Sequence, residues 1–129
     1  MAHTRNWVWQ GASGKDYLFK VFKSPVYWSD IDQGGIYVFA KECFGIAIPL
    51  YVGQAGSLYL VASDKDWVRA QIHGAHQAHA LVENAPEFRL VTVHDLIQAL
   101  QLKRNIQAGE MTVYNRWQYK GAGNVSINA

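Results

Sequence analysis

The chain has 129 residues, a length typical of one domain, and 50% of them are hydrophobic, which is enough to form a core. Its formal net charge is +2, which is well below the strong basic excess typical of non-specific nucleic-acid binders. The single cysteine, Cys43, excludes an intramolecular disulfide framework and a cysteine-based zinc finger. Because no stretch is apolar for long enough to span a bilayer or to form a signal peptide, we expect a cytoplasmic protein without membrane contact.

The first half of the chain predicts four strands. Apolar and polar residues alternate in NWVWQG (6–11) and DYLFKVF (16–22), and the turn residues ASGK between them indicate an N-terminal hairpin. A loop is expected at 24–35. The β-branched and aromatic residues of GIYVFAKE (35–42) and IAIPLYVG (46–53) predict two further strands that are joined by a turn at CFG.

The second half predicts helix, strand and helix. SDKDWVRAQIHGA (63–75) has Ser63 as a helix N-cap and Gly74 as a stop, with Trp67, Ala70 and Ile72 facing the core. HQAHALV (76–82) predicts a short strand. PEFRLVTVHDLIQALQLK (86–103) predicts the longest helix, because apolar residues recur at spacings of three and four. The members of this apolar stripe are Leu90, Val93, Leu96, Ile97 and Leu100.

This order of elements predicts a small α+β fold with a mostly antiparallel sheet flanked by helices. A single domain is expected over residues 1–120, with the N-terminal hairpin as an extension and residues 121–129 as a tail.

Two short motifs carry a family resemblance. The ordered pair GIY (35–37) and YVG (51–53) resembles the GIY-YIG nuclease superfamily, which includes homing endonucleases and the N-terminal part of a bacterial excision-repair nuclease. WVRAQIHGAHQAHALV, RLVTVHDLIQAL and VYNRW resemble successive segments of a small bacterial branch of that superfamily. The resemblance covers residues 11–117 and implies a GIY-YIG-like fold together with metal-dependent phosphodiester hydrolysis.

The resemblance also implies roles for particular residues. Tyr37 and Tyr51 match the two motif tyrosines that assist activation of the nucleophile, and Asn115 matches the final asparagine. Gly53 and its neighbour Gln54 match the turn where the backbone approaches the nucleic acid. An active member of the family holds Mg²⁺ through a carboxylate on its last helix.

Two charged groups of the family are missing from this chain. Val61 stands where the family has its phosphate-binding arginine, and Val93 stands where it has its metal-binding glutamate. Since valine offers no oxygen to a metal ion, no metal site is expected. The sequence therefore favours a catalytically degenerate nuclease fold that binds nucleic acid (DNA or RNA) or protein. The alternative is an active Mg²⁺-dependent DNA endonuclease with relocated catalytic groups.

The histidines of HGAHQAHA do not have the spacing of a metal site, because a strand directs His76 and His79 to opposite faces. His79, at the cleft that the family uses, and His94, beside the missing glutamate, are instead candidates for acid or base groups near neutral pH.

Basic and aromatic residues suggest two kinds of partner. Arg69, Lys103 and Arg104 are candidate contacts to nucleic acid. Trp7 and Trp9 share one face of a strand by their spacing, which indicates packing or a partner surface. A homodimer or other protein interaction through that face is therefore a third alternative.

Overall fold

The computed structural model describes residues 5–63 and 65–100, and the backbone of two short strands near the C-terminus. The main elements are β1 (Arg5–Gln10), β2 (Asp16–Phe22), β3 (Gly35–Cys43), β4 (Ile46–Ala55), α1 (Lys65–Ile72), β5 (Gln77–Val82) and α2 (Pro86–Leu100). The short strands, β6 (Gln118–Tyr119) and β7 (Val125–Ser126), pair antiparallel with one another. Lys103, Arg104 and Asn115 lie outside the described residues.

The first five strands form one sheet in the order β1-β2-β5-β3-β4, and every neighbouring pair is antiparallel. The predicted hairpin of β1 and β2 is confirmed, as are the strands predicted around the two motifs. β5 lies between the two hairpins and joins them into one sheet. The predicted α+β class with an antiparallel sheet and two helices is confirmed for the described part of the chain. No helix in that part is long and apolar enough to cross a membrane.

The expected loop at 24–35 contains a 3₁₀ helix, Pro25–Trp28. Ser24 caps it, since its hydroxyl accepts a hydrogen bond from the backbone N–H of Val26 at 3.1 Å. Proline in the first turn suits the fixed backbone angle of a helix start. The prediction of an irregular loop is wrong here, and the short helix places Trp28, which has no exposed surface, in the core.

One face of the sheet carries the aromatic side chains, and we call it the aromatic face. Tyr37, Phe39 and Tyr51 share it, because Phe39 pairs with Tyr51 across the β3–β4 ladder and side chains alternate along a strand. The rings of Trp28 and of Trp67 in α1 cover it, with centroids 6.3 and 4.9 Å from that of Phe39. Both motif tyrosines therefore point into a cluster of rings.

α2 covers the opposite face of the sheet, which we call the α2 face. Gln54 follows Gly53, the residue paired with Tyr37, so the Gln54 side chain points away from the aromatic face. Arg89 of α2 donates a hydrogen bond to Gln54 Oε1 at 2.7 Å. Val93 is buried on the same helix. The sheet thus lies between α2 and the tyrosine pair.

Three predicted positions on the helices are wrong. α1 begins at Lys65, and the predicted N-cap Ser63 lies in a second 3₁₀ helix, Leu58–Ser63. Ile72 in the last turn of α1 is 76% exposed, because this short helix buries only Trp67 and Ala70. Leu90 is 53% exposed, because α2 is rotated so that a different stripe faces the sheet. The buried members of that stripe are Arg89, Thr92, Val93 and Leu96.

Candidate functional site

The two motif tyrosines lie side by side at the centre of the aromatic face. The ring centroids of Tyr37 and Tyr51 are 6.4 Å apart, and the planes are inclined by 59°. The structure therefore brings together the pair that the resemblance singles out. Both rings are in the core, however, with Tyr51 fully buried and Tyr37 4% exposed. Both rings therefore present little or no surface to solvent.

Gly53 is required by the ring of Tyr37. A Cβ atom at position 53 lies 2.6 Å from both Cζ and the hydroxyl oxygen of Tyr37, which is too close for any real contact. The prediction that Gly53 and Gln54 lie at a turn is wrong, because both are paired residues within β4. Gly53 provides the space in which the buried tyrosine ring packs, so a close approach of nucleic acid is not needed to explain it.

Gly53→Ala is therefore expected to lower the free energy of unfolding by about 1–3 kcal/mol, the usual cost of overpacking a core. Tyr37→Phe leaves Cζ in place and should not relieve the clash. Tyr37→Leu removes the ring and should make the second substitution much cheaper. Urea unfolding of the single and double variants measures this coupling. Strictly additive losses for Tyr37→Leu and Gly53→Ala would contradict the packing described.

The two valines that stand where the resemblance implies charged residues are core residues. Val61 is 3% exposed in the 3₁₀ helix Leu58–Ser63, and Val93 is 5% exposed in α2. Val93 packs on the α2 face, so the sheet separates it from Tyr37 and Tyr51. Residues 5–63 and 65–100 contain no group of three or more His, Cys, Asp or Glu side chains that suits a metal ion. The described residues do not fit the Mg²⁺ site of the family.

Asp95, the acidic residue nearest to Val93 on α2, already has hydrogen-bond partners. Its carboxylate accepts from the Ser13 backbone at 2.8 Å, from the Ser13 hydroxyl at 2.7 Å and from the Tyr17 hydroxyl at 2.8 Å. The Ser13 hydrogen bond holds the pKa of Asp95 below its ordinary value, and burial followed by Asp95 raises the pKa of Tyr17. This carboxylate fixes the β1–β2 turn against α2. His94 is exposed beside it, at the rim of a cleft of about 650 Å³.

His79 is buried on the α2 face within a chain of polar side chains. Trp9 Nε1 donates to His79 Nδ1 at 3.0 Å, so the ring proton is on Nε2, which donates to Gln77 Oε1 at 3.0 Å. Gln77 and Arg5 in turn donate to Glu42 Oε1 at 2.6 and 2.7 Å. Burial lowers the pKa of His79 to about 3, with a smaller effect from Arg5. His79 is therefore a neutral structural group, away from both tyrosines.

Arg89, which no sequence pattern singled out, is 8% exposed and satisfied by hydrogen bonds. Its Nε donates to Gln54, and Nη1 donates to the backbone carbonyls of Glu83 and Asn84 at 3.1 and 3.0 Å. A Cβ at Gly34 lies 2.5 Å from Nη1, so only glycine leaves room for the guanidinium. The glycines that flank both motifs were the signal that the sequence offered for this packing, because glycine leaves room for a bulky neighbour. Gln54 therefore has a structural role that joins the end of β4 to α2.

Arg69 lies on the outer surface of α1. Its guanidinium forms an ion pair with Asp66 at 3.4 Å, one helical turn away, and its side chain is 48% exposed. It is thus accessible to a partner, and it lies on a different helix from the buried Arg89.

Comparison with known proteins adds no relatives: no family model, no curated protein and no solved structure matches this chain. The described residues define an α+β domain whose antiparallel sheet buries a tyrosine pair on one face and a neutral histidine on the other.

Proposed function

We propose that this chain is a GIY-YIG-like domain that binds nucleic acid and does not hydrolyse it. The observation that supports a loss of cleavage is the burial of the positions to which the resemblance assigns catalytic roles. The motif tyrosines and both valines are packed in the core, and the carboxylate nearest to Val93 is bound to Ser13 and Tyr17. Hydrolysis of a phosphodiester through this constellation would need a metal ligand that Val93 does not provide.

An uneven distribution of charge supports binding of a polyanion. The strand registers place the start of β1, the end of β2, the end of β3 and the start of β5 at one end of the sheet. The turn after α1 is there too, since a Cβ at Gly74 would lie 3.2 Å from Cδ of Lys41 and the His76 backbone N–H donates to the Ala40 carbonyl at 2.9 Å. We call this the basic end. Its basic and histidine side chains are Arg5, Lys23, Lys41, His73 and His76.

The opposite end of the sheet is acidic. It carries the β1–β2 turn, the β5–α2 connection and the loop before β3. The carboxylates there, Asp16, Asp32, Glu83, Glu87 and Asp95, outnumber the cations Lys15 and Arg89. At the basic end the described carboxylate is Glu42, and its charge is offset by Arg5 at 2.7 Å. Within the described residues, this polarity of charge orients the basic end toward phosphate groups.

Binding of short labelled DNA and RNA over a series of salt concentrations tests this proposal. We expect affinity that falls as salt rises, because neutralised phosphates release counterions. The double variant Lys23→Gln/Lys41→Gln should reduce the slope of log K against log salt by about two, one for each phosphate contact. Lys15→Gln, at the other end of the sheet, is the matched control and should leave the slope unchanged. Absence of binding at low ionic strength would overturn the proposal.

A second candidate function is protein binding, which one observation favours. The outward side of α2 exposes three apolar side chains, with Phe88 at 58%, Leu90 at 53% and Val91 at 63%. By contrast, Trp7 and Trp9 pack on each other within the chain, with centroids 5.9 Å apart, and Trp9 is buried. A dimer by light scattering that Phe88→Ser dissociates would favour this candidate.

A further inference from the structure

Among the described residues, the most exposed apolar side chain lies at the tip of the β3–β4 hairpin. Phe44 is fully exposed, and the neighbouring Ile46 is 51% exposed. Cys43 pairs with Ile46, so Phe44 and Gly45 alone form the turn. The tip extends from the basic end of the sheet, directly after Lys41 and Glu42.

Phe44 also has an unfavourable backbone conformation. Its φ of 51° and the φ of 81° at Gly45 are both in the left-handed region, which is the pattern of a type I′ turn. That turn favours Asn-Gly, because a bulky side chain is strained at positive φ. Among the described non-glycine residues, Phe44 alone has a positive φ. Neither the turn geometry nor the core accounts for phenylalanine at this position.

Strain and exposure at one residue indicate a contact with something outside the chain. A ring that is open on both sides suits stacking on a nucleic-acid base, since every base presents a flat π face. The cations of the basic end lie behind the tip, where they suit the phosphates that flank such a base. A base in a continuous duplex is already stacked on both sides and must be unstacked first, which costs free energy.

We propose that Phe44 stacks on an unpaired base and thereby directs the basic end to single-stranded or unpaired nucleic acid. This inference rests on the proposed function and adds to it the contact residue and the class of substrate. Ile46 and Cys43 lie at the edge of the same contact.

Phe44→Asn gives a test in which stability and binding change in opposite directions. Asparagine suits the type I′ turn, so the melting temperature of the full chain should stay equal or rise. Affinity for a labelled single-stranded oligonucleotide should fall about tenfold or more, and the preference for single strand over matched duplex should disappear. Phe44→Trp should retain both the affinity and the preference for single strand. Tyr59→Asn, at an exposed aromatic residue of the 3₁₀ helix Leu58–Ser63, should leave both unchanged.

Cys43 supplies an independent readout, because it is the single cysteine of the chain and is exposed. Bound oligonucleotide should slow its alkylation by a maleimide several-fold in the wild-type chain and much less in Phe44→Asn. If the wild-type chain binds and Phe44→Asn binds equally well, the stacking role is overturned while the proposed function stands. Binding to anionic vesicles in place of oligonucleotide, or to neither, overturns both.

Discussion

Val93→Glu is expected to destabilise the fold by about 3–5 kcal/mol and to create no magnesium site. The substitution restores the carboxylate that the family resemblance implies, yet it places a charge in the core, where only 5% of the side chain is exposed. That loss is a large share of the roughly 5–15 kcal/mol by which domains are stable. Mg²⁺ should neither recover the melting temperature nor produce cleavage, because the sheet separates α2 from both tyrosines.

Val91→Glu is the matched control for this prediction. Val91 lies two positions earlier on the same helix and is 63% exposed, so a carboxylate there stays in water. Its free energy of unfolding should change by less than about 0.5 kcal/mol, as is usual for surface substitutions. Urea unfolding with and without Mg²⁺ measures all three proteins. Stabilisation of Val93→Glu by Mg²⁺ would show that a metal reaches this position, contrary to the packing of α2.

The second prediction with a large effect is a loss of stability in acid that is due to His79. Burial lowers the pKa of His79 from an ordinary 6.5 to about 3 in the folded chain. The unfolded chain therefore takes up a proton on this ring at a higher pH than the folded chain. Its contribution to stability is complete above pH 6.5 and is lost as the pH falls toward 3. At about 1.4 kcal/mol for each pH unit, roughly 2 kcal/mol should be lost between pH 6.5 and pH 5.

Carboxylates with lowered pKa values change the free energy of unfolding mainly below pH 5. The reason is that both shifted carboxyl groups start from ordinary pKa values near 4. His79→Gln removes the titrating ring and should flatten the stability profile between pH 6.5 and 5. His73→Gln is the control: burial followed by Lys41 lowers the pKa of His73, but this residue is only partly buried, so its effect should be smaller. Unfolding in urea at several pH values measures the slopes. Parallel profiles for wild type and His79→Gln would contradict the neutral buried ring.

The strands were predictable because their signal is local. Alternation of side chains locates β1 and β2, and the apolar runs around GIY and YVG locate β3 and β4. Which residues of the helices are buried was less predictable. Leu90 matches the apolar spacing of α2, yet Arg89 is buried in its place. The reason is tertiary: the guanidinium is satisfied by Gln54 and by carbonyls at 83 and 84, which no periodicity reveals.

The candidate site was predictable in part, again because the signal of its two strands is local. Sequence order indicated that Tyr37 and Tyr51 lie on neighbouring strands, and they do. Whether such a pair faces a cleft or the core depends on what covers the sheet. Here Trp28 and Trp67 cover it, from a 3₁₀ helix and from α1. The strain at Phe44 is likewise invisible in the sequence, because it is a property of the turn that the two strands impose.

One assay of binding and cleavage in the same sample tests the central claim most directly. A labelled single-stranded oligonucleotide is incubated with excess wild-type chain and Mg²⁺ at low salt. Anisotropy reports binding, and a denaturing gel reports the length of the strand. We predict salt-sensitive binding with the oligonucleotide intact. Mg²⁺-dependent cleavage that Tyr37→Phe abolishes would contradict the proposed loss of catalysis and establish an active nuclease.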